Sequence, residues 1–596
     1  MQILHAGPLQ MYYKNGFLRY MRQDDVEVLR MLYFAVRDEN WNTIPLHILH
    51  EEVNIYADHF SIHYEGRCQQ NRIDYAWKCN IEGNSDGSIT FEIHGEALSD
   101  FLRNRIGFCV LHPIKAYAGR AVTITHTNHT TTNYIFPKYI DPYQPFKDIQ
   151  AMRWTLGHNT YSIQFQGDIF ETEDQRNWLD ASFKTYCTPL HLPFPAQVIK
   201  GDKVYQKVEF RVEDEVEIKD EVEIEIENEE VMRSMNLLHK NKELYYTLSK
   251  TNENFIILPL GLEANAVALD DVTITHLKNL NLSFLRVEMR LHEANWETDF
   301  NQRLQQAQLL ALPIHLVLFL NKDWEYEKKL LEEYNFPITI QKIITIDVNN
   351  KTLTAPFLEK VLPVLKSIFP DIPIGGGTNA YFTEFNRNPP PASLLDFSAF
   401  SVNPQVHAFD ELSLIENLET PPYIIASAQK LINLPVSVSP ITLRPRFNPD
   451  ATAPEKTLAG QLPFRVDARQ RTDFAAVWTL GSILAFTEAG AQDLTYYQTV
   501  NEMGVMMSGQ ASEYHDFPAD AYEIFPLYHV FKLFGAYQGG TVEILQSSHP
   551  LLFAGFIIKH ENKQLLALVN YTPESIEIQA FNEIYLLQPY QILLIS

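Results

Sequence analysis

Side chains that could transfer protons or bind anions recur in the second half of the chain, each beside a short apolar run. Glu384, His407 and Arg444 are the clearest of them. A carboxylate or an imidazole can activate water, and a guanidinium stabilises a carboxylate or a developing oxyanion. This set suits a polyhydroxylated substrate that carries a carboxyl or acyl group.

The apolar runs themselves form a regular series from about residue 254 onward. Eight predicted strands alternate with helical segments, at 257–264, 283–291, 313–320, 340–347, 373–385, 396–403, 435–443 and 493–499. Eight β-then-α units predict a closed parallel barrel, the (β/α)8 or TIM barrel, rather than an open sheet. Such barrels carry their catalytic groups at the carboxyl ends of the strands, so the candidate residues would meet at one rim.

The segments on both sides of the barrel have the alternating pattern of β-strands. Short runs before residue 205 predict an N-terminal β-sandwich-like domain, and residues 209–230 alternate apolar and charged residues, as strands with one solvated face do. Strand patterns return after residue 540 and predict a small C-terminal β-sandwich packed on the barrel. We therefore predict a multidomain α/β plus β protein with domains at 1–250, 251–538 (the catalytic barrel) and 539–596.

The composition disfavours several classes of function. The 596 residues carry a net charge of −26, which disfavours nucleic acids and anionic membrane surfaces as partners. No apolar run reaches the roughly 18 residues of a membrane span, and the first residues do not resemble a signal peptide. The four cysteines lack the spacing of a metal site or a disulfide framework. We expect a cytoplasmic enzyme acting on a small molecule, and the sequence leaves its oligomeric state open.

Metal and phosphate sites are weakly indicated. The sequence has no HExxH motif and no paired cysteines, so we predict no metal; a divalent ion on Glu263, Glu288 and Asp347 is the alternative. The GGGT run at 375–378 lacks the lysine and the spacing of a phosphate-binding loop. Glycine there lets the strand end approach a ligand or a neighbouring loop closely.

Glycoside hydrolysis and non-catalytic carbohydrate binding are the competing functions. A retaining glycosidase needs two carboxylates about 5 Å apart, which in the large barrel clan follow strands four and seven. The fourth predicted strand ends in Asp347, but the seventh is followed by Arg444 and Arg446, without a carboxylate at the matching place. This disfavours a glycosidase. A binding protein without activity predicts stacked aromatic side chains in the cleft and no ionisable group placed to activate water.

Five segments carry a resemblance to a known family. They are GDIFETEDQRNWLDASFKTYCTPLHLPFP at 167–195, GFLRYMRQDDVEVLRMLYFAVRDENWNTIP at 16–45, GGGTNAYFTEFNRNPP at 375–390, FSVNPQVHAFDE at 400–411 and VSPITLRPRFNP at 438–449. In order and over most of the chain, the sequence resembles the D-apionate lactonase family. The resemblance implies hydrolysis of D-apionolactone to D-apionate in apiose catabolism, without a cofactor.

Opening a lactone requires a base, donors for the oxyanion and an acid for the leaving alkoxide. We predict that Glu384 is the base, because neighbouring glycines open the backbone beside it. His407 would be the acid or a second base, since imidazole titrates near neutrality, and Arg444 would stabilise the oxyanion or the product carboxylate. The residues predicted to bind the substrate are Glu263, Glu288, Asn386, Asn403 and Tyr497.

A polar stretch at 171–184 lies in the N-terminal domain rather than in the barrel. A run of consecutive polar residues in a β context rarely packs as core, so the stretch predicts a buried ionic network that fixes the N-terminal domain against the barrel. The predicted cations are Arg176 and Lys184, and the predicted anions are Glu171, Glu173, Asp174 and Asp180. The alternative is that the stretch reaches over the barrel mouth.

Overall fold

A computed structural model describes residues 1–213, 246–321, 324–449, 457 and 460–596. Within them the predicted architecture is confirmed: an antiparallel N-terminal domain, a closed parallel barrel and a C-terminal region of two small sheets. None of the described helices is long and apolar enough to cross a bilayer.

The N-terminal domain is an antiparallel sheet of 17 described strands whose inward side chains form one apolar core. The alternation that predicts these strands is visible in Ile73–Gly83, where every second side chain is buried. Residues 209–213 end the last strand, and the rest of the predicted 209–230 run lies outside the described residues. The strands are β1 (Gln2–Ala6), β2 (Leu9–Lys14), β3 (Phe17–Gln23), β4 (Val26–Asp38), β5 (Leu46–Ile55), β6 (Phe60–Gln70), β7 (Ile73–Gly83), β8 (Ile89–Ala97), β9 (Phe101–Pro113), β10 (Ala121–His126), β11 (Thr131–Ile135), β12 (Phe146–Leu156), β13 (Asn159–Gln166), β14 (Phe170–Asp174), β15 (Ser182–Tyr186), β16 (Ala196–Val198) and β17 (Lys203–Glu213), with a short helix α1 (Ile114–Tyr117).

Two short strands, β18 (Tyr246–Ser249) and β19 (Phe255–Ile256), come before the barrel. The barrel then closes through parallel pairing of its first strand with its eighth. The eight strands match the predicted ones to within a few residues, except that the fifth ends at Tyr381 rather than near 385. They are β20 (Leu260–Glu263), β21 (Phe284–Arg290), β22 (Ile314–Leu320), β23 (Ile340–Asp347), β24 (Ile374–Tyr381), β25 (Ser398–Val402), β26 (Val436–Ile441) and β27 (Asp493–Gln498).

Helices surround the barrel and pack against the outward side chains of its strands. Local signals fix their ends: Asp270 accepts a hydrogen bond from the Thr273 backbone N–H at 2.9 Å, and Ala311 ends a helix at φ 56°. The described helices are α2 (Asp271–Lys278), α3 (Trp296–Leu310), α4 (Glu325–Glu333), α5 (Ala355–Ile368), α6 (Phe382–Arg387), α7 (Glu411–Glu416), α8 (Pro421–Ile432), α9 (Asp473–Glu488) and α10 (Pro526–Ala536). Four 3-10 turns lie at Gln175–Trp178, Ala392–Leu394, Asn417–Glu419 and Ala468–Arg471.

The C-terminal region is a small sandwich that borrows strands from before the barrel. One sheet has the order β29-β18-β32-β33 and the other β19-β28-β30-β31-β34, and a shared apolar core joins them. Residues 246–256 therefore belong with this sandwich, whereas the predicted boundaries placed them at the end of the first domain and the start of the barrel. The later strands are β28 (Thr541–Ile544), β29 (Gln546–Ser547), β30 (Phe553–His560), β31 (Lys563–Asn570), β32 (Ile576–Ala580), β33 (Glu583–Leu587) and β34 (Ile592–Ile595).

The amino end of the barrel interior holds a buried ion pair. Lys342 contacts Asp493 and donates to Ser437 Oγ and Gln492 Oε1, both at 3.0 Å. The ammonium also lies 4.4 Å from the centre of the Phe397 ring. One cation and one anion are matched here.

Ionic networks fix the N-terminal domain against the barrel. Arg19 donates to Asp410 at 2.9 Å and to Glu416 at 2.8 Å. Glu419 accepts from Arg30 at 3.1 Å and lies 3.0 Å from Lys115 Nζ. Buried pairs of this kind set the relative position of two domains, because separating them would leave charges without partners.

Candidate active site at the barrel mouth

The carboxyl ends of the barrel strands carry a buried group of charged side chains, which we call the guanidinium cluster. Its members are Arg286, Arg290 and Arg446 with Glu263 and Glu288. Alternation along β21 turns Arg286, Glu288 and Arg290 into the barrel, while the residues between them face the helices. That alternation was the sequence signal for the two arginines of this strand.

The two carboxylates of the cluster share one arginine. Arg286 Nη1 contacts Glu263 and lies 2.5 Å from Glu288 Oε1. Arg290 Nε donates to Glu288 Oε2 at 2.8 Å, and Arg446 Nη1 lies 3.6 Å from Glu288 Oε1. Glu263 Oε1 also accepts a hydrogen bond from Gln498 Nε2 at 3.3 Å.

The electrostatics of the guanidinium cluster favour an additional anion. Burial alone would raise the pKa of Glu288, but Arg286, Arg290 and Arg446 outweigh it and hold that pKa well below its usual range. Glu288 is therefore ionised. Arg290 also lies 3.5 Å from Glu293 Oε1, whereas burial and the neighbouring Arg286 lower the pKa of Arg446. Within the described part of the chain, Nε of Arg286 and Nε of Arg446 have no hydrogen-bond partner although both atoms are buried.

The position of Arg446 is fixed by the neighbouring strand end. Its Nη2 donates to Asn379 O at 2.8 Å and to Asn379 Oδ1 at 2.9 Å, and the Tyr381 hydroxyl donates to Phe447 O at 2.7 Å. Arg444, which the sequence favoured as the oxyanion ligand, lies beside Asp467 instead, with 3.6 Å between Nε and Oδ2. Although the two arginines are only two residues apart on this loop, Arg446 contacts Asn379 and Arg444 contacts Asp467.

A second group at the mouth joins the barrel to the N-terminal domain. His407 follows β25, and its Nδ1 lies 2.7 Å from Oδ2 of Asp180. The edge of the Trp178 ring contacts the imidazole, with 5.1 Å between ring centres. Leu179 takes a left-handed conformation (φ 74°) that turns the chain from Trp178 to Asp180, and the Ala181 N–H donates to Asn417 Oδ1 at 3.2 Å.

Burial opposes ionisation of both members of this pair. It lowers the pKa of His407, with Lys184 acting in the same direction, and it raises the pKa of Asp180 to about 8. At neutral pH the pair is therefore one neutral unit that shares a proton between Oδ2 and Nδ1. The imidazole side chain keeps 16% of its surface exposed.

Tyr381 connects the two groups. Its hydroxyl reaches the loop that carries Arg446, and its ring lines a small apolar cavity together with Trp178 and Asn403. The cavity has room for about one water molecule. Tyr381 thus lies between the loop of Arg446 and the Trp178 ring that contacts His407.

The polar stretch at 171–184 forms both the network and the contact with the barrel mouth. Asp174 pairs with Arg176 at 2.6 Å and Glu173 pairs with Lys184, as the sequence predicts. Glu171 instead accepts from the Tyr186 hydroxyl at 2.6 Å, and the partner of Asp180 is His407. Asn177 reaches across to the barrel, where its backbone oxygen accepts from Thr383 at 2.7 Å.

Three predicted site residues have contacts that differ from their predicted roles. Glu384 lies in the first turn of α6, because β24 ends early, and its Oε2 accepts the Tyr381 backbone N–H at 3.1 Å. Asn386 donates to Ile140 O at 3.1 Å and to Asn177 Oδ1 at 2.9 Å, so it holds the domain interface. Tyr497 shares a 2.7 Å hydrogen bond with Thr479 on α9, which turns its hydroxyl toward the helix layer.

Asn403 lies where a polar ligand group could meet it. Its Oδ1 accepts the Gln405 backbone N–H at 3.1 Å, while its buried Nδ2 has no partner among the described residues. Asp347, the alternative metal ligand, accepts from Asn349 N at 2.8 Å and Asn350 Nδ2 at 2.7 Å. No three His, Cys, Asp or Glu side chains of the described residues converge as a metal site would require.

Comparison with known proteins gives two family matches and one curated relative. Residues 1–215 match the family described as D-apionate lactonase, N-terminal domain, and residues 258–539 match D-apionate lactonase, TIM barrel domain. The protein named D-apionate lactonase from Brucella anthropi is 30% identical, over 99% of this chain and 96% of that protein.

Among solved structures, a family 51 α-L-arabinofuranosidase from Bifidobacterium longum aligns with a TM-score of 0.38 at 11% identity. A GH30 endoxylanase from Clostridium papyrosolvens aligns with a TM-score of 0.34 at 11% identity. Each alignment covers 57% of this chain and 88% of the other protein.

Proposed function

The chain belongs to the D-apionate lactonase family, and from this we propose that it is a carboxylic ester hydrolase that converts D-apionolactone to D-apionate in apiose catabolism. The family matches cover both the N-terminal domain and the barrel, which are the two regions that build the mouth. The substrate is a small sugar lactone, and we propose no cofactor.

The buried nitrogens of Arg286 and Arg446 that lack partners among the described residues are the observation that carries this proposal. Lactone hydrolysis begins with an uncharged ester, passes through a tetrahedral oxyanion and ends in a carboxylate. Guanidinium donors that are buried without partners stabilise the oxyanion and the product more than the uncharged lactone. This difference between transition state and substrate lowers the barrier.

Roles follow from the contacts of each residue. His407 takes a proton from water as the water oxygen bonds to the carbonyl carbon, and Arg446 stabilises the oxyanion that forms. When the bond between the carbonyl carbon and the ring oxygen breaks, the imidazolium returns the proton to the leaving alkoxide. Glu263, Glu288 and Asn403 bind hydroxyl groups, and Glu384 is the second candidate for the base.

Glycoside hydrolysis has less support from the same geometry. A guanidinium nitrogen of Arg286 lies between Glu263 and Glu288, where a glycosidase would hold the scissile bond between two carboxyl groups. The depressed pKa of Glu288 also keeps that group ionised, so it cannot serve as a general acid.

The test is hydrolysis of a panel of sugar lactones, followed by proton release, beside a panel of aryl glycosides. We expect turnover of lactones above their spontaneous hydrolysis, with the highest kcat/KM for D-apionolactone, and no glycoside turnover. His407→Gln is the matched inactive control. Turnover of glycosides with inert lactones would overturn the proposal, and a preference for another lactone would overturn only the substrate assignment.

A further inference from the structure

A carboxylate of the N-terminal domain reaches the imidazole that we propose as the base of the barrel. Asp180 is 6% exposed, and it belongs to the turn after the 3-10 helix of that domain. Its Oδ2 lies 2.7 Å from His407 Nδ1, although the two residues are 227 positions apart. The hydrogen bond therefore crosses the domain interface.

We propose that Asp180 is the positioning residue for His407, so that the N-terminal domain completes the active site of the barrel. This inference rests on the proposed function, since it concerns the same imidazole. In the form in which Asp180 is ionised and accepts Nδ1–H, Nε2 carries no proton and can accept one from water. The carboxylate then stabilises the imidazolium until the proton passes to the leaving alkoxide.

The turn that carries Asp180 is held from both sides. The left-handed Leu179 sets its direction, the Ala181 N–H is bonded to Asn417 of the barrel, and the Trp178 ring contacts the imidazole edge. Arg387 lies over the Trp178 ring at 5.5 Å. A carboxylate fixed in this way restricts both the tautomer and the orientation of the imidazole.

Docking of the two domains does not need this hydrogen bond. Arg19 and Arg30 already bind carboxylates of the barrel at the interface. Three further charged groups face the pair from the N-terminal domain: Lys184, Glu173 and Arg37. Lys184 and Glu173 pair with each other, so they do not replace Asp180 as the hydrogen-bond partner of the imidazole.

The first experiment compares Asp180→Asn, His407→Gln and the double variant on the lactone. Asp180→Asn should lower kcat by about 10²–10⁴-fold with KM changed little. The double variant should be no slower than His407→Gln, because the two residues act as a unit. Glu171→Gln is the matched control: this buried carboxyl of the same stretch bonds to Tyr186 and Leu190, and its loss should leave kcat unchanged.

The pH profile separates positioning from a structural contribution. In the wild type, kcat/KM should rise with pH as the neutral pair loses one proton and reaches the form in which Nε2 carries none. In Asp180→Asn this rise of kcat/KM should occur at lower pH, because a buried imidazole without a neighbouring carboxylate holds its proton less tightly. The inference would be overturned if Asp180→Asn lowered the melting temperature but left the pH dependence of kcat/KM unchanged, and if the losses of kcat in the double variant were additive.

A second readout does not depend on lactone hydrolysis. Diethylpyrocarbonate acylates unprotonated imidazole nitrogen, and peptide mass spectrometry gives its rate at His407 as a function of pH. The reaction midpoint should fall in Asp180→Asn and stay unchanged in Glu171→Gln. If the wild type hydrolyses no lactone, the proposed function fails while this shift still supports the Asp180–His407 coupling; equal midpoints in wild type and Asp180→Asn would overturn the coupling itself.

Discussion

The two ends of the barrel interior use buried charge in different ways. At the amino end, Lys342 contacts Asp493 and donates to Ser437 and Gln492, and Ser437 in turn donates to Asp493. At the carboxyl end, Arg286, Arg290 and Arg446 lie around Glu263 and Glu288, and Arg290 also lies 3.5 Å from Glu293. Among the described residues, the buried Asp493 atom without a partner is an acceptor, Oδ1, whereas those of Arg286 and Arg446 are donors, their Nε atoms. The pair at the amino end serves the fold, whereas buried donors without partners at the carboxyl end keep capacity for an anion that binds or forms there.

This contrast predicts that the Lys342–Asp493 pair contributes to the stability of the fold but not to turnover. Lys342→Met would leave Asp493 buried without a cation, which should cost about 3–5 kcal/mol of the free energy of unfolding, measured by denaturant titration. The kcat/KM of the folded protein should stay within about twofold, because Lys342 contacts neither the guanidinium cluster nor His407. Adding Asp493→Leu should restore much of the stability, and a large loss of turnover with normal stability would break the contrast.

Arg446→Met tests the carboxyl end. Loss of one charged donor to an oxyanion should lower kcat/KM by about 10²–10³-fold, measured by proton release on the lactone. Arg446→Lys should lie between wild type and Arg446→Met, because it keeps the charge and loses the planar fork. Arg444→Met is the matched comparison. A greater loss of kcat/KM in this variant would indicate that Arg444, as the sequence predicts, stabilises the oxyanion.

The third test concerns pH and stability at the same end. The pKa of Glu288 is lower in the folded chain than in the unfolded one, so its contribution is present above the usual glutamate pKa and is lost as pH falls. The wild type should therefore lose at least about 1.4 kcal/mol more than Glu288→Gln between pH 6 and pH 3, the free energy of one pKa unit. Equal slopes in denaturant titrations would show that the arginines do not hold this carboxylate ionised.

The smallest expected effect separates the two candidate bases. Glu384→Gln keeps an oxygen that can accept the Tyr381 N–H, so stability and turnover should stay near the wild-type values. Glu384→Ala should cost about 1 kcal/mol of unfolding free energy, as the loss of a helix cap does. A hundredfold fall in kcat for Glu384→Gln, with unchanged melting temperature, would identify Glu384 as the base.

Sequence patterns predicted the barrel well because its strands are buried on both sides. Ile314–Leu320 consists of apolar residues and one histidine, and all seven side chains are buried. The fifth strand ends at Tyr381, earlier than the pattern predicts, for a local reason. The helix after it begins at Phe382 and is capped by a glutamate three residues after Tyr381, and tyrosine is not a residue that signals a helix start.

Side-chain direction was the main source of error at the site. Strand alternation would turn the hydroxyls of Tyr496 and Tyr497 to opposite sides, yet both bond to α9, at Ser482 and Thr479. Tyr497 has φ 32°, which breaks the alternation at the strand end. Such a local backbone change leaves no periodic signal in the sequence.

The sequence also does not predict which distant side chains form hydrogen bonds with each other. Asp180 and His407 were each singled out from the sequence, but for a domain interface and for proton transfer respectively. Their hydrogen bond spans 227 positions, and a single sequence records which residues are polar without recording which of them meet. The same holds for Arg286, whose alternation with Glu288 was visible while its contact with Glu263 on the neighbouring strand was not.

The C-terminal sandwich, which takes strands from both sides of the barrel, also orders events during synthesis. Tyr246–Ser249 and Phe255–Ile256 leave the ribosome about 300 residues before their partners in Ile576–Ala580 and Thr541–Ile544. At the usual speed of translation, their edges wait roughly 15–60 s for a partner. A nascent chain must therefore keep two unpaired strand edges from joining other chains while the whole barrel is being made.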